Sequence, residues 1–352
     1  MEKTERINNF DLIRLFAALE VLINHTLHNF GYGRPSILAF TPGVPIFFTI
    51  SGFLIFWSFS EKQNLKSYFA SRALRIYPAL WACFIFTAIV LTVMGFINFE
   101  SLKQKEIIFW IATQITFLPI LTPKSFAGFG IGNPNGSLWT IAVELQFYLA
   151  IPLLYYLIRK HTRWIQNAIL IVLAFVSWYA GYRSKTMNAD SVLATIYISS
   201  LIPYLHFFIY GILLFVNFDV LKRFVVNRAQ YWVLAYFSFV VLFHYGLHWY
   251  VAEYFPSLFS VLGMFLLSVT VIACAYTLPQ IATKVLRHND ISYGLYLYQM
   301  VIINMFITLK MTDIKAIVLC WSISILLALG SWVIIEKPFI AMKKKVLVFL
   351  GT

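Results

Sequence analysis

The sequence predicts an all-α, polytopic membrane protein. Of its 352 residues, 61% are hydrophobic and only 12% are charged, which is about half the charged fraction of a soluble domain. The apolar residues also cluster into runs of about 20, long enough to cross a hydrocarbon core of roughly 30 Å. The basic residues, finally, are distributed unequally between alternate loops, as expected for loops on two sides of a membrane.

We predict ten spans in one bundle, with both termini in the cytoplasm. With this orientation, 18 Lys and Arg residues lie on the cytoplasmic side and 8 on the opposite side. This bias explains the net charge of +13 more simply than binding to nucleic acid. The predicted spans are 11–30, 38–60, 76–97, 137–158, 168–182, 194–216, 231–249, 257–279, 291–309 and 316–335.

The apolar segment 107–121 is predicted to be re-entrant or interfacial, because it is short and contains Thr113, Gln114 and Thr116. If it crossed, the later basic loops would face outward. It belongs to an outer loop, 98–136, that ends in the turn-rich GFGIGNPNGS. The chain 1–352 is predicted to form one domain, with a basic cytoplasmic tail at 336–352.

The sequence gives no indication of a disulfide framework or of a metal site. The cysteines lie in apolar runs without paired spacing. His244 and His248 are four residues apart, but no third ligand has a matching spacing. The dipeptide Ser51-Gly52, inside the second span, is interpreted as a point of close helix packing.

Three polar residues of the first span are predicted to share one helical face. Arg14 and His25 are about 20° from alignment and Asp11 and His25 about 40°, whereas Glu20 points about 120° away from Arg14. A buried polar residue in a span indicates function, although polar side chains also join helices by hydrogen bonds.

Two further groups stand out. Arg72 and Arg75, three residues apart, are neighbours on a helix; they are either positive-inside anchors or a clamp for phosphate. Glu144 is a carboxylate within the fourth predicted span, on a face similar to that of Ser137, and Tyr148 lies one turn further on. Pairing with a basic residue of another span is compatible with a functional role for Glu144.

The ordered set of motifs resembles the membrane acyltransferase family 3, which includes bacterial O-antigen and exopolysaccharide O-acetyltransferases. The matching stretches run in order from residue 10 to residue 339. They are FDLIRLFAALEVLINH, PIFFTISGFLI, RALRIYP, SLWTIAVELQFYLAIPLL, ISYGLYLYQ and SWVIIEKPF. The chain departs from the family at Gln299, where a His is frequent, and at Leu12, where a Gly is frequent.

The resemblance implies a stand-alone membrane enzyme of the bacterial inner membrane. It would move an acyl group, usually acetyl, from acyl-coenzyme A to a hydroxyl of a cell-surface or lipid-linked carbohydrate. It implies no permanently bound cofactor, and its partners would be acyl-coenzyme A, the glycan and membrane lipids.

By the same match, His25 and Arg14 would be essential, Arg72 and Arg75 would be the paired arginines associated with the acyl donor, and Glu144 would be the glutamate of the family's fourth motif. We further predict that Asp11 belongs to the catalytic group and that Tyr77 binds the acyl donor. Ser137, Trp139 and Tyr148 are predicted to contact the substrate.

We expect His25 to act as a general base on the acceptor hydroxyl, with its ring oriented by Glu144 or Asp11. Glu144 is the better candidate, because Asp11 is about 21 Å away along the helix axis. Arg14 would neutralise phosphate or the thioester oxyanion. The alternative function is a proton-coupled secondary transporter that uses Asp11, Arg14, His25 and Glu144; inverted repeats would favour it, and none is visible in the sequence.

Overall fold

The computed structural model of the chain describes residues 8–35, 37–116, 122–184, 192–249, 257–349 and 351. These residues form α-helices joined by turns, and within those ranges there is no β-strand. A helix pairs its own backbone N–H and C=O groups, which allows an apolar segment to lie in lipid. The predicted all-α fold is confirmed for these residues.

The described residues contain sixteen α-helices, two of which continue into a π-helical turn. The helices are α1 (Phe10–Asn29), α2 (Gly43–Lys62), α3 (Leu65–Val93), α4 (Lys105–Ile115), α5 (Trp139–Ile158), α6 (Arg163–Ser184), α7 (Val192–Ile198), α8 (Leu205–Val216), α9 (Phe218–Val225), α10 (Ala229–Val240), α11 (Leu258–Ala275), α12 (Ile281–Leu286), α13 (Ser292–Thr308), α14 (Ile314–Ser331), α15 (Lys337–Ala341) and α16 (Lys343–Phe349). The π-helical turns are Val241–Gly246 after α10 and Trp332–Glu336 after α14.

Several of these helical segments are long and apolar enough to cross a membrane. Six qualify individually among the described residues, and α8 with α9, bent by 90° at Asn217, is a possible seventh. The chain is therefore a multi-pass membrane protein, whereas the number of ten spans and the cytoplasmic termini stay predictions. The six segments are Leu38–Lys62, Leu65–Val93, Gly136–Ile158, Arg163–Ser184, Leu258–Ala275 and Ile314–Phe349.

Two predicted spans differ from the helices that the structure contains. Helix α3 begins at Leu65 and not at residue 76, because the Asn64 side chain caps it by accepting a hydrogen bond from the Ser67 N–H at 2.9 Å. The predicted span 194–216 is interrupted between α7 and α8. Pro203 lies in the 3₁₀ turn there and cannot donate a backbone hydrogen bond to continue a helix.

The segment 107–121, which is predicted to be re-entrant or interfacial, contains most of a short helix. Helix α4 has 11 residues and is about 16 Å long, too short to cross a hydrocarbon core of about 30 Å. This length agrees with a segment that does not cross on its own. Residues 117–121 lie outside the described residues.

The helices fall into two compact units, each of which combines distant parts of the chain. The first unit contains the described residues within 1–17, 36–63 and 146–289. The second contains those within 18–35, 64–145 and 290–352. Each unit has its own packed interior.

In the first unit, α2 and α8 approach so closely that their backbones touch. A Cβ atom on Gly52 would collide with the carbonyl oxygen of Phe208, and one on Gly211 would collide with that of Thr49. The Thr49 and Ser268 hydroxyls also share a hydrogen bond at 2.8 Å, which joins α2 to α11. The predicted close packing at Gly52 is confirmed.

In the second unit, the turn-rich end of the outer loop is fixed to α13. The backbone N–H of Gly130 donates to the Thr308 hydroxyl at 2.8 Å, and that of Ile131 donates to Asn304 Oδ1 at 3.1 Å. Gly130 has a φ of 56°, and a Cβ atom there would collide with the Asn304 side chain. Glycine is required at this turn for both reasons.

We expect Gly52→Ala to destabilise the protein, because the added methyl group meets a backbone carbonyl that cannot rotate away. Overpacking typically costs about 1–3 kcal/mol, and we expect the upper end of this range. Thermal unfolding in detergent measures the effect. Gly330→Ala in α14 is the matched control, since nothing lies within 4 Å of its Cβ position. Equal melting temperatures of Gly52→Ala and the wild type would contradict the close packing of α2 against α8.

Candidate active site

The uninterrupted helix α1 contains four of the polar residues of the first predicted span, namely Asp11, Arg14, Glu20 and His25. Asp11 lies in the first turn, where a carboxylate interacts favourably with the helix dipole. Its Oδ1 is 3.3 Å from Arg14 Nη1, and the Asp11 side chain is half exposed. Asp11 is therefore the ion-pair partner of Arg14 at the beginning of the helix.

His25 lies in the C-terminal half of α1 and is partly exposed as a residue. Its Nδ1 is buried and has no hydrogen-bond partner among the described residues. Its carbonyl oxygen accepts a hydrogen bond from Asn29 Nδ2 at 2.7 Å. The ring thus has a buried nitrogen that water or a substrate could pair; its orientation by Glu144 stays a prediction.

In the second unit, Arg72 and Glu144 both act electrostatically on the hydroxyl of one tyrosine. Tyr68, one turn before Arg72 on α3, is buried and lies within electrostatic reach of both Arg72 and Glu144. Glu144 lies on α5, so α3 and α5 each contribute one charged side chain around this tyrosine. A cation and a carboxylate that the sequence identifies separately thus lie within electrostatic range of the same side chain.

Ser137 belongs to a buried hydrogen-bond network at the start of α5. Its hydroxyl donates to Asn135 Oδ1 at 2.7 Å, and the side chain is 1% exposed. The Thr140 hydroxyl donates to the Tyr296 hydroxyl at 2.7 Å, which itself donates to the Ser137 carbonyl at 3.2 Å. These bonds join α5 to α13. The substrate role of Ser137 stays a prediction, and its observed contacts are structural.

Arg75 is held between two carboxylates. Its Nη2 is 2.6 Å from Asp290 Oδ2, and its Nη1 is 3.6 Å from Glu336 Oε2. The guanidinium also lies 5.8 Å from the ring centres of Tyr293 and Trp332. Because two carboxylates face one guanidinium, Arg75 has less capacity for an additional anion than an arginine without such partners.

Glu336 reaches this network through the π-helical turn that follows α14. The residue is 1% exposed, and its Oε1 accepts a hydrogen bond from the Ser331 hydroxyl at 3.2 Å. A Cβ atom on Gly294 would lie 3.1 Å from the same oxygen. Such π-helical turns are rare and are frequently found at functional sites.

The remaining predicted residues lie in different surroundings. Tyr77 is partly exposed and packs against Trp81 with ring centres 5.3 Å apart. Trp139 begins α5 and is partly exposed, whereas Tyr148, in the first unit, is buried. Gln299 is fully buried, and neither polar atom of its amide has a hydrogen-bond partner among the described residues.

Sequence reasoning did not identify Asp290, Glu336 and Tyr296 as candidates. Two of them lie in the stretches ISYGLYLYQ and SWVIIEKPF, which served only as matching motifs. A usable signal was the acidic residue immediately after the last apolar run, because a carboxylate at such a position needs a partner. The identity of that partner, Arg75, is not evident from spacing, since it lies far away in the sequence.

Comparison with known proteins identifies relatives along nearly the whole chain. A family model described as an acyltransferase domain matches residues 7–336. Nodulation protein 10 of Rhizobium leguminosarum bv. viciae is 28% identical over 94% of this chain and 92% of its own length. The O-acetyl transferase of Shigella phage Sf6 is 28% identical over 95% of this chain and 96% of its own length.

A more distant relative covers about half of the chain. The peptidoglycan O-acetyltransferase OatA of Listeria monocytogenes is 25% identical over 49% of this chain and 28% of its own length. No solved structure matches the chain significantly.

We expect Arg75→Ala to reduce the free energy of unfolding by about 3 kcal/mol, because it leaves two buried carboxylates without their cation. The measurement is thermal or denaturant unfolding in detergent. The triple variant Arg75→Leu, Asp290→Asn, Glu336→Gln removes all three charges and should recover most of the loss. An Arg75→Ala protein as stable as the wild type would contradict a structural role for these ion pairs.

Proposed function

The chain belongs to the membrane acyltransferase family 3, and on this premise we propose that it is an O-acyltransferase that uses acyl-coenzyme A. It would move an acetyl or other short acyl group to a hydroxyl of a cell-surface or lipid-linked carbohydrate. The single observation that carries the proposal is the family match over residues 7–336. It is supported by a relative named O-acetyl transferase that aligns over 95% of the chain.

We propose the bacterial inner membrane as the location, with both termini and the start of α3 in the cytoplasm. The excess of Lys and Arg in the loops assigned to that side supports this orientation. Acyl-coenzyme A would then approach from the side on which Arg72 and Arg75 lie. The other proposed partners are the carbohydrate acceptor and membrane lipids.

For the donor, we propose that Arg72 contacts a phosphate and that Arg75 holds the surrounding helices in place. The basis for this division is the two carboxylates that face Arg75. Arg72 instead lies near Tyr68 and Glu144. The partly exposed Tyr77, two residues after Arg75, is available to contact the donor. A guanidinium group can bind phosphate with two parallel hydrogen bonds.

For the reaction, we propose that His25 takes the proton of the acceptor hydroxyl as its oxygen attacks the thioester carbon. The carbon–sulfur bond then breaks, and the coenzyme A thiolate leaves with the proton that His25 returns. A ring nitrogen of an imidazole can accept the proton of a hydroxyl, and such catalysis typically contributes ~10²–10⁴-fold. The buried Nδ1 of His25, which has no hydrogen-bond partner among the described residues, supports this role because it leaves a ring nitrogen to pair with a hydroxyl.

The remaining predicted residues have supporting roles in this proposal. Glu144 would stabilise the imidazolium, and Arg14, with Asp11 as its partner, would neutralise negative charge that develops on the donor. Trp139, Ser137 and Tyr148 would shape the acceptor region.

The experiment that tests the proposal measures release of coenzyme A by purified protein in nanodiscs. Acetyl-coenzyme A is supplied with or without cell-envelope carbohydrate from a strain that lacks the gene. Release of coenzyme A that depends on the carbohydrate, together with recovery of the acetyl group on the carbohydrate, supports an acyltransferase. Proton-coupled uptake into vesicles without any acyl transfer would establish the transporter instead.

We expect His25→Ala to lower the rate of acyl transfer by at least ~10²-fold, because the general base is lost. His28→Ala is the matched control, since His28 is an exposed histidine of the same helix, and it should retain activity. Unfolding temperatures of both variants show whether the helix bundle is intact. Wild-type activity in His25→Ala would eliminate the proposed general base.

We expect Arg72→Gln to raise the KM for acyl-coenzyme A by roughly tenfold or more, because a charge-assisted hydrogen bond to phosphate is lost. The KM for the carbohydrate should change little. Steady-state kinetics with each substrate varied in turn provide both values. An unchanged KM for acyl-coenzyme A would exclude Arg72 from the donor site.

A further inference from the structure

The first unit contains a cavity of about 480 Å³ that the proposed catalytic residues do not line. It lies between the ends of α2 and α5, the beginning of α6 and the bend between α8 and α9. Its volume is within the range of small-molecule sites, roughly 300–1,000 Å³. Arg159 and Arg163 contribute to its lining, together with a group of aromatic side chains.

The guanidinium group of Arg159 is oriented but not saturated. Its Nη1 donates to Gln63 Oε1 at 3.2 Å, and the group lies 4.6 Å from the centre of the Tyr156 ring. A guanidinium group has five N–H donors, and among the described residues this hydrogen bond uses one of them. The contact with the ring does not use the N–H groups, so that the remaining donors are available to an anion.

Arg163 is held only weakly by its acidic neighbour. Its Nη2 is 3.4 Å from Asp219 Oδ2, and the two side chains are 48% and 72% exposed. Exposed pairs of this kind contribute about 0–1 kcal/mol and are screened by salt. A doubly charged phosphate can therefore compete with Asp219 for Arg163, and the two arginines leave the cavity with a net positive charge.

Two further features of the lining favour a phosphate that carries an apolar or aromatic group. Arg163 and Phe218 begin α6 and α9, and helix N-termini attract anions. The apolar wall is aromatic: the ring of Phe56 lies 5.8 Å from those of both Tyr155 and Phe215. The charged side and the aromatic side are thus available to different parts of one ligand.

We propose that this cavity binds an organic phosphate, with the phosphate group between Arg159 and Arg163 and the apolar part against the aromatic wall. Two sources provide this chemistry: the nucleotide portion of coenzyme A and the headgroup of an anionic phospholipid. Only the first source rests on the proposed acyltransferase function. The binding chemistry itself does not depend on it.

The test uses the full-length protein in phosphatidylcholine nanodiscs. In one arm, free coenzyme A is titrated by calorimetry, with inorganic phosphate as the comparison ligand. In the other arm, phosphatidylglycerol is included in the nanodiscs, and native mass spectrometry counts the lipids retained after detergent release. The variants are Arg159→Gln, Arg163→Gln and the control Lys160→Gln. Lys160 carries the same charge between the two arginines but lies outside the lining.

We expect each arginine variant to weaken binding in one arm by roughly tenfold or more, while Lys160→Gln stays within about twofold of the wild type. Loss in the coenzyme A arm identifies the nucleotide, and loss in the phospholipid arm identifies the headgroup. The proposal would be overturned if the arginine variants bound as tightly as the wild type in both arms. It would also be overturned if all three variants lost binding equally, or if the wild type bound inorganic phosphate but neither coenzyme A nor phosphatidylglycerol.

A parallel assay of acyl transfer separates this proposal from the proposed function. If the wild type binds through Arg159 and Arg163 but transfers no acyl group, the acyltransferase proposal fails and the phosphate site stands. If it transfers acyl groups and neither arginine affects binding in either arm, only the phosphate site fails. The unfolding temperatures should match in all variants, since both arginines are exposed.

Discussion

The high free energy of an unpaired charge in an apolar helix bundle is the constraint on which the second unit depends. Glu336 is almost fully buried at the end of the long apolar helix α14. Arg75 of the same unit supplies the compensating cation and also pairs with the carboxylate of Asp290. The network connects α3, the beginning of α13 and the π-helical turn, which are far apart in the sequence. Their packing is thus specified by charge as well as by shape.

This network also distinguishes two arginines that are equivalent in the sequence. Arg72 and Arg75 are one turn apart, and both look like a phosphate clamp or a positive-inside anchor. In the folded chain, Arg75 contacts two carboxylates and two aromatic rings, whereas Arg72 lies within electrostatic range of Tyr68, on which Glu144 also acts. Neighbouring residues of one motif can therefore have separate tasks, one holding the helices together and the other remaining near the proposed chemistry.

The sequence predicted well the features that depend on local pattern. Apolar runs indicated the membrane helices, Gly52 indicated close packing, and the Gly-rich end of the outer loop indicated an irregular turn. It failed where local pattern is ambiguous: Pro203 interrupts an apolar run that otherwise looks continuous, and the start of α3 at Leu65 is not evident from the apolar run that begins near residue 76. Hydropathy averages over both effects, since neither a missing N–H group nor a helix cap changes it.

The candidate site was predicted as a set of residue types but not as a set of contacts. Glu144 and Arg72 were identified separately, and their common neighbour Tyr68 was not. Asp290 and Glu336 are separated from Arg75 by more than 200 positions. Helical periodicity describes one element at a time, so it contains no information about which distant helix supplies a partner.

The contact between α2 and α8 has a consequence for movement within the first unit. Where two helices meet backbone to backbone, no side chain between them can change its rotamer to absorb sliding, and the interface resists deformation. Helices α2 and α8 are therefore expected to move together as one rigid body. Relative movement of helices within this unit is therefore expected at other interfaces, where side chains rather than peptide groups form the contact.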